Sequence, residues 1–348
     1  MTLEQMDRNN IRTGIDSMYS RRRYLLSAGA AATAGFAGCV GGADGEFPND
    51  SITVIVPFGE GSSTDVLARQ IVPLMGEQLG VDASVRNIPG SASLRGTQEA
   101  LNAEPDGYTL LMFNPPSTPT SYLINEPDFD ITELEGIGTY AVASLMLVAN
   151  PDFGVEEGIE DLISRYESGE MSQFAGQVQG SFYHVVSLFL RENMNIPWET
   201  YVGYDGNGPA TESVVSGENP AGVSSAAATV SFTDDDRLDV LATLASFGDP
   251  AYPDAPAITD LGYDNIDFLT GLTRCMWAPP GTPDDVLDEL TGALEGMVNS
   301  DEMQQYADEQ GVNLQYNGRE FANNALDDVI QEVPANLDMD AIREQALD

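Results

Sequence analysis

Ile52-Thr53-Val54-Ile55-Val56-Pro57-Phe58-Gly59-Glu60-Gly61-Ser62-Ser63-Thr64-Asp65-Val66-Leu67-Ala68-Arg69 is the stretch that decides the fold of this 348-residue chain. Ser51 to Pro57 is a short β-branched run, the composition of a buried strand. Phe58 to Ser63 is a loop of small residues. From Thr64 the apolar positions Leu67, Ile71, Leu74, Met75 and Leu79 recur at helical period, and Gly80 stops the helix. The same order then repeats: strand Val81 to Asn87, small-residue loop Ile88 to Ser93, helix Leu94 to Ala103, turn Pro105-Asp106-Gly107, strand Tyr108 to Phe113. Strands alternating with helices imply a parallel sheet, because parallel neighbours need a helical crossover.

Downstream, Ala141 to Ala149 reads as a continuous apolar strand. A helix is expected at His184–Asn193, a strand at Glu199–Val202, a helix near Ala210–Ser216, and strands near Ala221 and Leu241. Cys275 to Ala278 is one more apolar strand, leading into Pro279-Pro280-Gly281-Thr282-Pro283. Helices at Asp284–Asn299, Asp301–Gln310 and Glu320–Val333 close the chain, and there is no internal repeat.

The loops point to anion capture. Phe58 to Thr64 lies between the carboxyl end of a strand and the start of a helix, the edge where open parallel sheets bind ligands. Free N–H groups and the positive end of the helix dipole favour a carboxylate there. Ser62, Ser63 and Thr64 add hydroxyl donors, although any of them is equally suited to cap the helix. Similar loops precede helices at Ser91-Ala92-Ser93, at Gly180-Ser181 before His184, and at Gly206–Gly208 before Ala210. Asp65 either steadies the helix dipole or receives an amino group of a ligand. His184 either caps its helix or lines the site.

Fourteen arginines and no lysine stand against 56 acids, a formal charge of −42 with a pI near 4.1. That balance excludes a nucleic-acid binder, which needs a basic face, and docking on anionic lipid through basic residues. It does not signal disorder, because 42% of the residues are hydrophobic. Acids scattered over a folded core, without lysine, fit a halophile's protein working in concentrated salt, where self-repulsion is screened. The competing reading is a cation-binding surface. It finds little support: the longest acidic run is Asp234-Asp235-Asp236, and no Asp-x-Asp-x-Asp-Gly loop occurs. One His and one Cys beyond residue 39 also argue against a metal site, and no cofactor motif occurs.

The amino terminus reads as an export signal. Ser20-Arg21-Arg22-Arg23-Tyr24-Leu25 has the twin-arginine form, and the apolar run Leu25 to Ala37 is too short to span a membrane. Phe36-Ala37-Gly38-Cys39 resembles a lipobox, with Phe36 in place of the usual Leu. Cleavage before Cys39 would remove residues 1–38 and leave Cys39 acylated, with 39–50 as a tether. The loss of five Arg and three acids from 14 and 56 leaves nine and 53, a mature charge of −44. Cys275 then has no disulfide partner, and reads as a small core residue.

Five ordered motifs carry a family resemblance. The opening stretch, Asn87-Ile88-Pro89-Gly90, Pro105-Asp106-Gly107-Tyr108-Thr109-Leu110-Leu111, Tyr204-Asp205-Gly206-Asn207-Gly208-Pro209-Ala210 and Ala278-Pro279-Pro280-Gly281-Thr282-Pro283 resemble the solute-binding receptors of tripartite tricarboxylate transporters. The resemblance implies a two-domain periplasmic-binding-protein-like (type II) α/β fold, with mixed, mostly parallel sheets and helices on both faces. By analogy, domain 1 is 50–146 plus 270–348, domain 2 is 147–269, and the ligand cleft lies between them. It further implies a monomer on the outer face of the cytoplasmic membrane that hands a small di- or tricarboxylate to membrane subunits of a secondary transporter. A receptor presenting its ligand to a membrane sensor would have the same fold and site. The expected ligand-binding set is Phe58, Gly61, Ser62, Ser63, Thr64, Asp65, Ser91, Ala92, Ser93, Arg95, Asn114, Ser181, His184, Asp205, Gly206 and Gly208. Ser62-Ser63 and Ser91-Ala92-Ser93 stand where the family commonly has Gly-rich runs. Arg95 replaces a usual apolar residue and suits either a bidentate carboxylate clamp or a surface ion pair.

Catalysis is the other class. A secreted hydrolase would use Ser181 with His184, the one imidazole of the chain. No Gly-x-Ser-x-Gly elbow supports it, since Gly222-Val223-Ser224-Ser225-Ala226 lacks the second glycine.

Overall fold

The computed structural model describes residues 47–155, 158–233 and 236–347. The export signal, Cys39, most of the tether and Asp234-Asp235 lie outside the described residues. The first strand-loop-helix unit forms as read: β1 is Ile52–Val56 and α1 is Ser63–Leu79. Ser62 caps α1 by accepting from the Asp65 N–H at 3.2 Å, and Gly80 ends it at φ 72°. β2 (Ala83–Asn87), α2 (Leu94–Leu101) and β3 (Thr109–Phe113) follow, with β2 and β3 parallel to β1 on its two sides.

After α3 (Ser117–Asn125), the chain enters β4 (Glu135–Ala149), a 15-residue strand that begins six residues before the expected Ala141. The early half carries Gly136, Gly138 and Thr139, which break up the apolar run that marks the later half. Then come α4 (Ile159–Ser168), β5 (Gln173–Gln177), α5 (Phe182–Asn193), β6 (Thr200–Tyr204), α6 (Asn207–Val215), β7 (Ala221–Ser225), α7 (Ala226–Thr233) and β8 (Asp239–Thr243). Short α8 (Asp267–Thr270) leads into β9 (Gly271–Ala278). α9 (Asp284–Val298), α10 (Asp301–Gln310), β10 (Asn313–Asn317), α11 (Arg319–Asn336) and α12 (Met339–Leu347) complete it. α3, α4, β5, α7, α8, β10 and α12 were not anticipated. β10, Asn313-Leu314-Gln315-Tyr316-Asn317, is too polar for a strand pattern, and pairing with β4 makes it one.

Strand order joins two sheets through β4. The first runs β2-β1-β3-β9-β4, with β10 also on β4; the second runs β4-β7-β5-β6, with β8 also on β4. Glu135 to Ser144 pair antiparallel with β9, whereas Leu145 to Ala149 pair antiparallel with β7. β5 is parallel to both β6 and β7, so each sheet combines parallel crossovers with antiparallel strands along β4. The later half of β4 is buried on both faces, which explains its unbroken apolar sequence. Leu145, Leu147 and Ala149 enter a core with Leu162, Phe174, Val185, Leu188 and Trp198, while Met146 and Val148 pack with Val214 and Leu238 on the other side. A further core fills the space between α1, α9 and the first sheet, around Leu67, Ile71, Met75, Leu290 and Leu294. Cys275 is buried in β9, and burial pushes its thiol well above the ordinary range, so it behaves as a core residue.

Truncating Leu147, fully buried at the centre of this strand, should cost about 2–5 kcal/mol through lost transfer energy and a residual cavity. Urea unfolding of Leu147→Ala at fixed salt measures it; a loss below about 1 kcal/mol would show that β4 is not the packed axis described.

Candidate functional site

A cleft of about 580 Å³ opens where the two sheets meet along β4 and β9. The volume lies within the usual range for small-ligand sites. Its walls are mostly the first turns of helices. Ser62, Ser63 and Thr64 come from the start of α1, Ser93 from α2, and Ser117 and Ser121 from α3. Ser181 and Phe182 come from the start of α5, Gly206, Asn207 and Gly208 from the start of α6, Ser225 from the end of β7 and Ala228 from the first turn of α7. Among the described residues no Asp or Glu lines the cleft, and the single charged lining residue is Arg274 of β9. N–H groups, hydroxyls and six positive helix ends facing one volume give it a donor character suited to an anion.

The β1–α1 loop is held rigidly from behind. Gly61 N–H donates to Asp65 Oδ2 at 2.8 Å, Arg69 Nε donates to the same oxygen at 3.0 Å, and Asn87 Nδ2 donates to Asp65 Oδ1 at 2.8 Å. Arg69 also bonds Asn87 Oδ1 at 2.9 Å, and Asn87 donates to the Phe58 carbonyl at 3.2 Å. Burial raises the Asp65 pKa, but hydrogen bonds from Arg69, Gly61 and Asn87 outweigh that and hold the carboxyl below its ordinary value. Asp65 therefore faces away from the cleft, with both oxygens engaged; it has no free acceptor for an amino group.

On the second loop, Ser91, Ala92 and Ser93 all adopt left-handed backbone, with φ of 49°, 52° and 77°. Each costs a non-glycine residue about 1–2 kcal/mol. The conformation is the one a Gly-rich run would adopt freely, and it is kept here with side chains present. It turns Ser93 inward, where its hydroxyl bonds Thr118 Oγ1 at 3.0 Å. Ala92 and Ser93 line the cleft, while Ser91 is exposed outside it.

Arg95, suited by sequence to either a carboxylate clamp or a surface ion pair, is exposed and does not line the cleft, whereas Arg274 does. Arg274 reaches Thr64 Oγ1 through Nη1 and Ser63 Oγ through Nη2, each at 3.3 Å. Asn114 is buried and donates to Thr64 Oγ1 at 2.7 Å, with its Oδ1 left without a partner. Across the cleft, Asn207 Nδ2 donates to Ser225 Oγ at 2.8 Å. Burial pushes the Tyr183 phenol up to about 12, with Ser225 and Arg274 opposing, so it stays a donor. Asp205 is exposed and off the lining, although Gly206 and Gly208 beside it contribute. Arg274, Tyr183, Asn207 and Ser225 escaped the sequence reading. Arg274 had a visible signal, a lone charge inside the strand Gly271-Leu272-Thr273-Arg274-Cys275-Met276-Trp277-Ala278.

His184 sits in the core behind the α5 loop, not on the lining. Its Nδ1 accepts from Gly180 N–H at 3.2 Å, its ring lies 4.5 Å from that of Tyr201, and its own N–H donates to the capping Ser181 hydroxyl at 3.3 Å. The imidazole thus supports the loop and offers Ser181 no base. Burial, with a smaller contribution from Arg191, lowers its pKa from 6.5 to about 4. The folded state therefore binds less proton than the unfolded chain, and His184's contribution to stability is complete above pH 6.5 and lost as pH falls toward 4. His184→Gln should flatten the loss of unfolding free energy between those two pH values relative to wild type; equal slopes in denaturant titrations would remove His184 as the cause.

Known proteins share this fold. A family model described as tripartite tricarboxylate transporter family receptor matches residues 67–335. Protein BugT of Bordetella pertussis is 30% identical over 276 residues, covering 77% of this chain and 82% of BugT. A TctC solute-binding protein from Polaromonas superposes with a TM-score of 0.71 at 19% identity, covering 84% of this chain and 99% of its own. MatC from Rhodopseudomonas palustris with bound malate gives 0.67 at 23%, with coverage of 85% and 100%. The R. palustris protein Rpa4515 with adipate gives 0.70 at 21%, with coverage of 86% and 99%. The periplasmic-binding-protein-like α/β fold is thereby established, and these neighbours are binding proteins rather than enzymes.

Proposed function

This chain belongs to the tripartite tricarboxylate transporter receptor family, and from that premise we propose that it captures a small organic carboxylate for a secondary transporter. The observation that carries the reading is the cleft itself: six helix N-termini and one arginine face a volume with no acidic lining residue among the described residues. The ligand sits against Ser62, Ser63, Thr64, Ser93 and Asn114 on one wall, and Ser181, Tyr183, Asn207 and Ser225 on the other. Malate and adipate, held by the two neighbours of this fold, are dicarboxylates of a size the cleft accommodates. Capture proceeds by closure of two domains, 50–146 plus 270–348 against 147–269, with β4 and β9 as the crossovers between them.

The twin-arginine and lipobox motifs support export and anchoring through Cys39, with more than one acyl chain because a single chain holds a membrane only marginally. Among the described residues no helix is long and apolar enough to cross a membrane. The receptor works as a monomer at the outer face of the cytoplasmic membrane and delivers its ligand to the transporter's membrane subunits. The acidic, lysine-free composition supports operation in concentrated salt.

Calorimetric titration and thermal unfolding with malate, adipate and citrate test this in molar KCl. One-site saturable binding is expected, with stabilisation of about 2.7 kcal/mol at a ligand concentration 100 times Kd. Absence of binding by every carboxylate would sink the receptor reading. Repeating the titration at about 10 mM salt, where the screening length grows to about 30 Å, should weaken binding or unfold the protein; undiminished affinity there would remove the salt adaptation.

A further inference from the structure

Arginine in this protein is normally paired. Arg69, Arg86, Arg165, Arg191, Arg319 and Arg343 each lie within 3.4 Å of an Asp or Glu oxygen. Of the described arginines outside that set, Arg95, Arg237 and Arg274, only Arg274 lines the cleft, and it makes no ion pair among the described residues in a chain with four acids for every basic residue. Its guanidinium is half-buried in the cleft wall and touches only neutral hydroxyls. Both contacts, at 3.3 Å, are longer than the 2.7–2.9 Å typical of charge-assisted bonds to a carboxylate. Asp249 feels the arginine's field, yet its oxygens are taken by the Ser144 and Ala251 N–H groups at 3.2 and 3.0 Å.

The hydroxyls beside Arg274 sharpen this. An arginine can only donate, so Ser63 and Thr64 act toward it as acceptors. Thr64 Oγ1 also accepts from Asn114 Nδ2 at 2.7 Å, which fills its second lone pair and leaves its own proton to be donated. The guanidinium and two hydroxyl protons therefore form a donor cluster with no anionic acceptor among the described residues. The opposite wall offers a second, uncharged donor set at the starts of α5, α6 and α7, with the Tyr183 phenol.

We propose that Arg274 is the specificity-determining residue of the cleft and selects a dianionic ligand, one carboxylate pairing with Arg274, Ser63 and Thr64 while the second is received by the α5–α7 wall. This rests on the receptor reading above and adds to it the residue through which the cleft senses the ligand's charge. A monoanion fills one of the two donor sets and leaves the other without an acceptor, so charge, not carbon skeleton, is the first filter.

The test compares succinate, glutarate and adipate, each against its own monoamide, by calorimetry in molar KCl. Wild type should bind the best dicarboxylate about 10- to 100-fold more tightly than its monoamide, the range a charged hydrogen-bonded pair supports. Arg274→Gln should shrink that preference to about 3-fold or less, because a neutral amide side chain pairs with a ligand amide as well as with a carboxylate. Arg274→Lys, which retains the charge but loses the fork, should keep part of it. Circular dichroism and unfolding midpoints in the same salt report whether each variant is folded. Equal wild-type affinity for dicarboxylate and monoamide, or a preference above about 3-fold in Arg274→Gln, would overturn the proposal and leave the receptor reading standing. Failure of every carboxylate to bind wild type would overturn both.

Discussion

Strand β4 exchanges hydrogen-bonding partners partway along its length, and the rest of the molecule is arranged around that exchange. Up to Ser144 it pairs with β9; from Leu145 it pairs with β7. A strand that changes neighbours leaves backbone groups in need of partners where no water reaches. Here side chains supply them: Asp249 accepts from the Ser144 N–H at 3.2 Å, and the Ser144 hydroxyl accepts from the Ala245 N–H at 2.9 Å. Leu244 N–H closes on the Leu145 carbonyl at 2.7 Å. A buried carboxylate, its pKa raised by burial, is retained at this junction because it satisfies a backbone donor that no strand can reach. The junction separates the two sheets, and the carboxyl ends of their parallel strands then face a shared gap.

Those strand ends explain why the cleft is built from helix starts. Each parallel strand must turn into a crossover helix, and each turn presents unpaired N–H groups at the same edge. The site needs few side chains of its own, so stability is concentrated behind it. Asp65, Arg69 and Asn87 lock the β1–α1 loop from the rear, and His184 with Tyr201 braces the α5 loop. The left-handed run Ser91 to Ser93 is the exception, a strained segment on the lining itself. Surrounding packing must hold it, which is a common arrangement at binding sites.

This division also sets what could be read from the sequence. The β1–α1–β2–α2–β3 unit was legible because period and punctuation agree over Ser51 to Phe113. The loops that open helices were legible for the same reason, since small residues between a strand and a helix have few other uses. Elements made by pairing were not: β10 is polar by sequence, and the first half of β4 is interrupted by Gly136 and Gly138. Residue types alone also could not separate the lining from its support. Asp65 and His184 look like the chemistry-bearing groups of their loops, yet both face the interior, where satisfied hydrogen bonds fix backbone rather than ligand. Arg95 and Arg274 are each a lone basic residue among neutral neighbours. Only the position of β9 beside β4, where the two sheets join, puts Arg274 in the cleft, while Arg95 is left in solvent.

The charge of the protein acquires a narrower meaning from that geometry. A chain of net −42 should repel a carboxylate at long range. Repulsion and capture act over different distances, however. The acids lie away from the cleft lining, and at about 1 M salt their field decays over about 3 Å. Donation from helix N–H groups, hydroxyls or Arg274 would act only at hydrogen-bond distance. Concentrated salt therefore suppresses the unfavourable field while sparing the favourable one. In such a solvent an acidic surface is compatible with a cleft built to receive an anion, because affinity would be decided by the groups at contact distance.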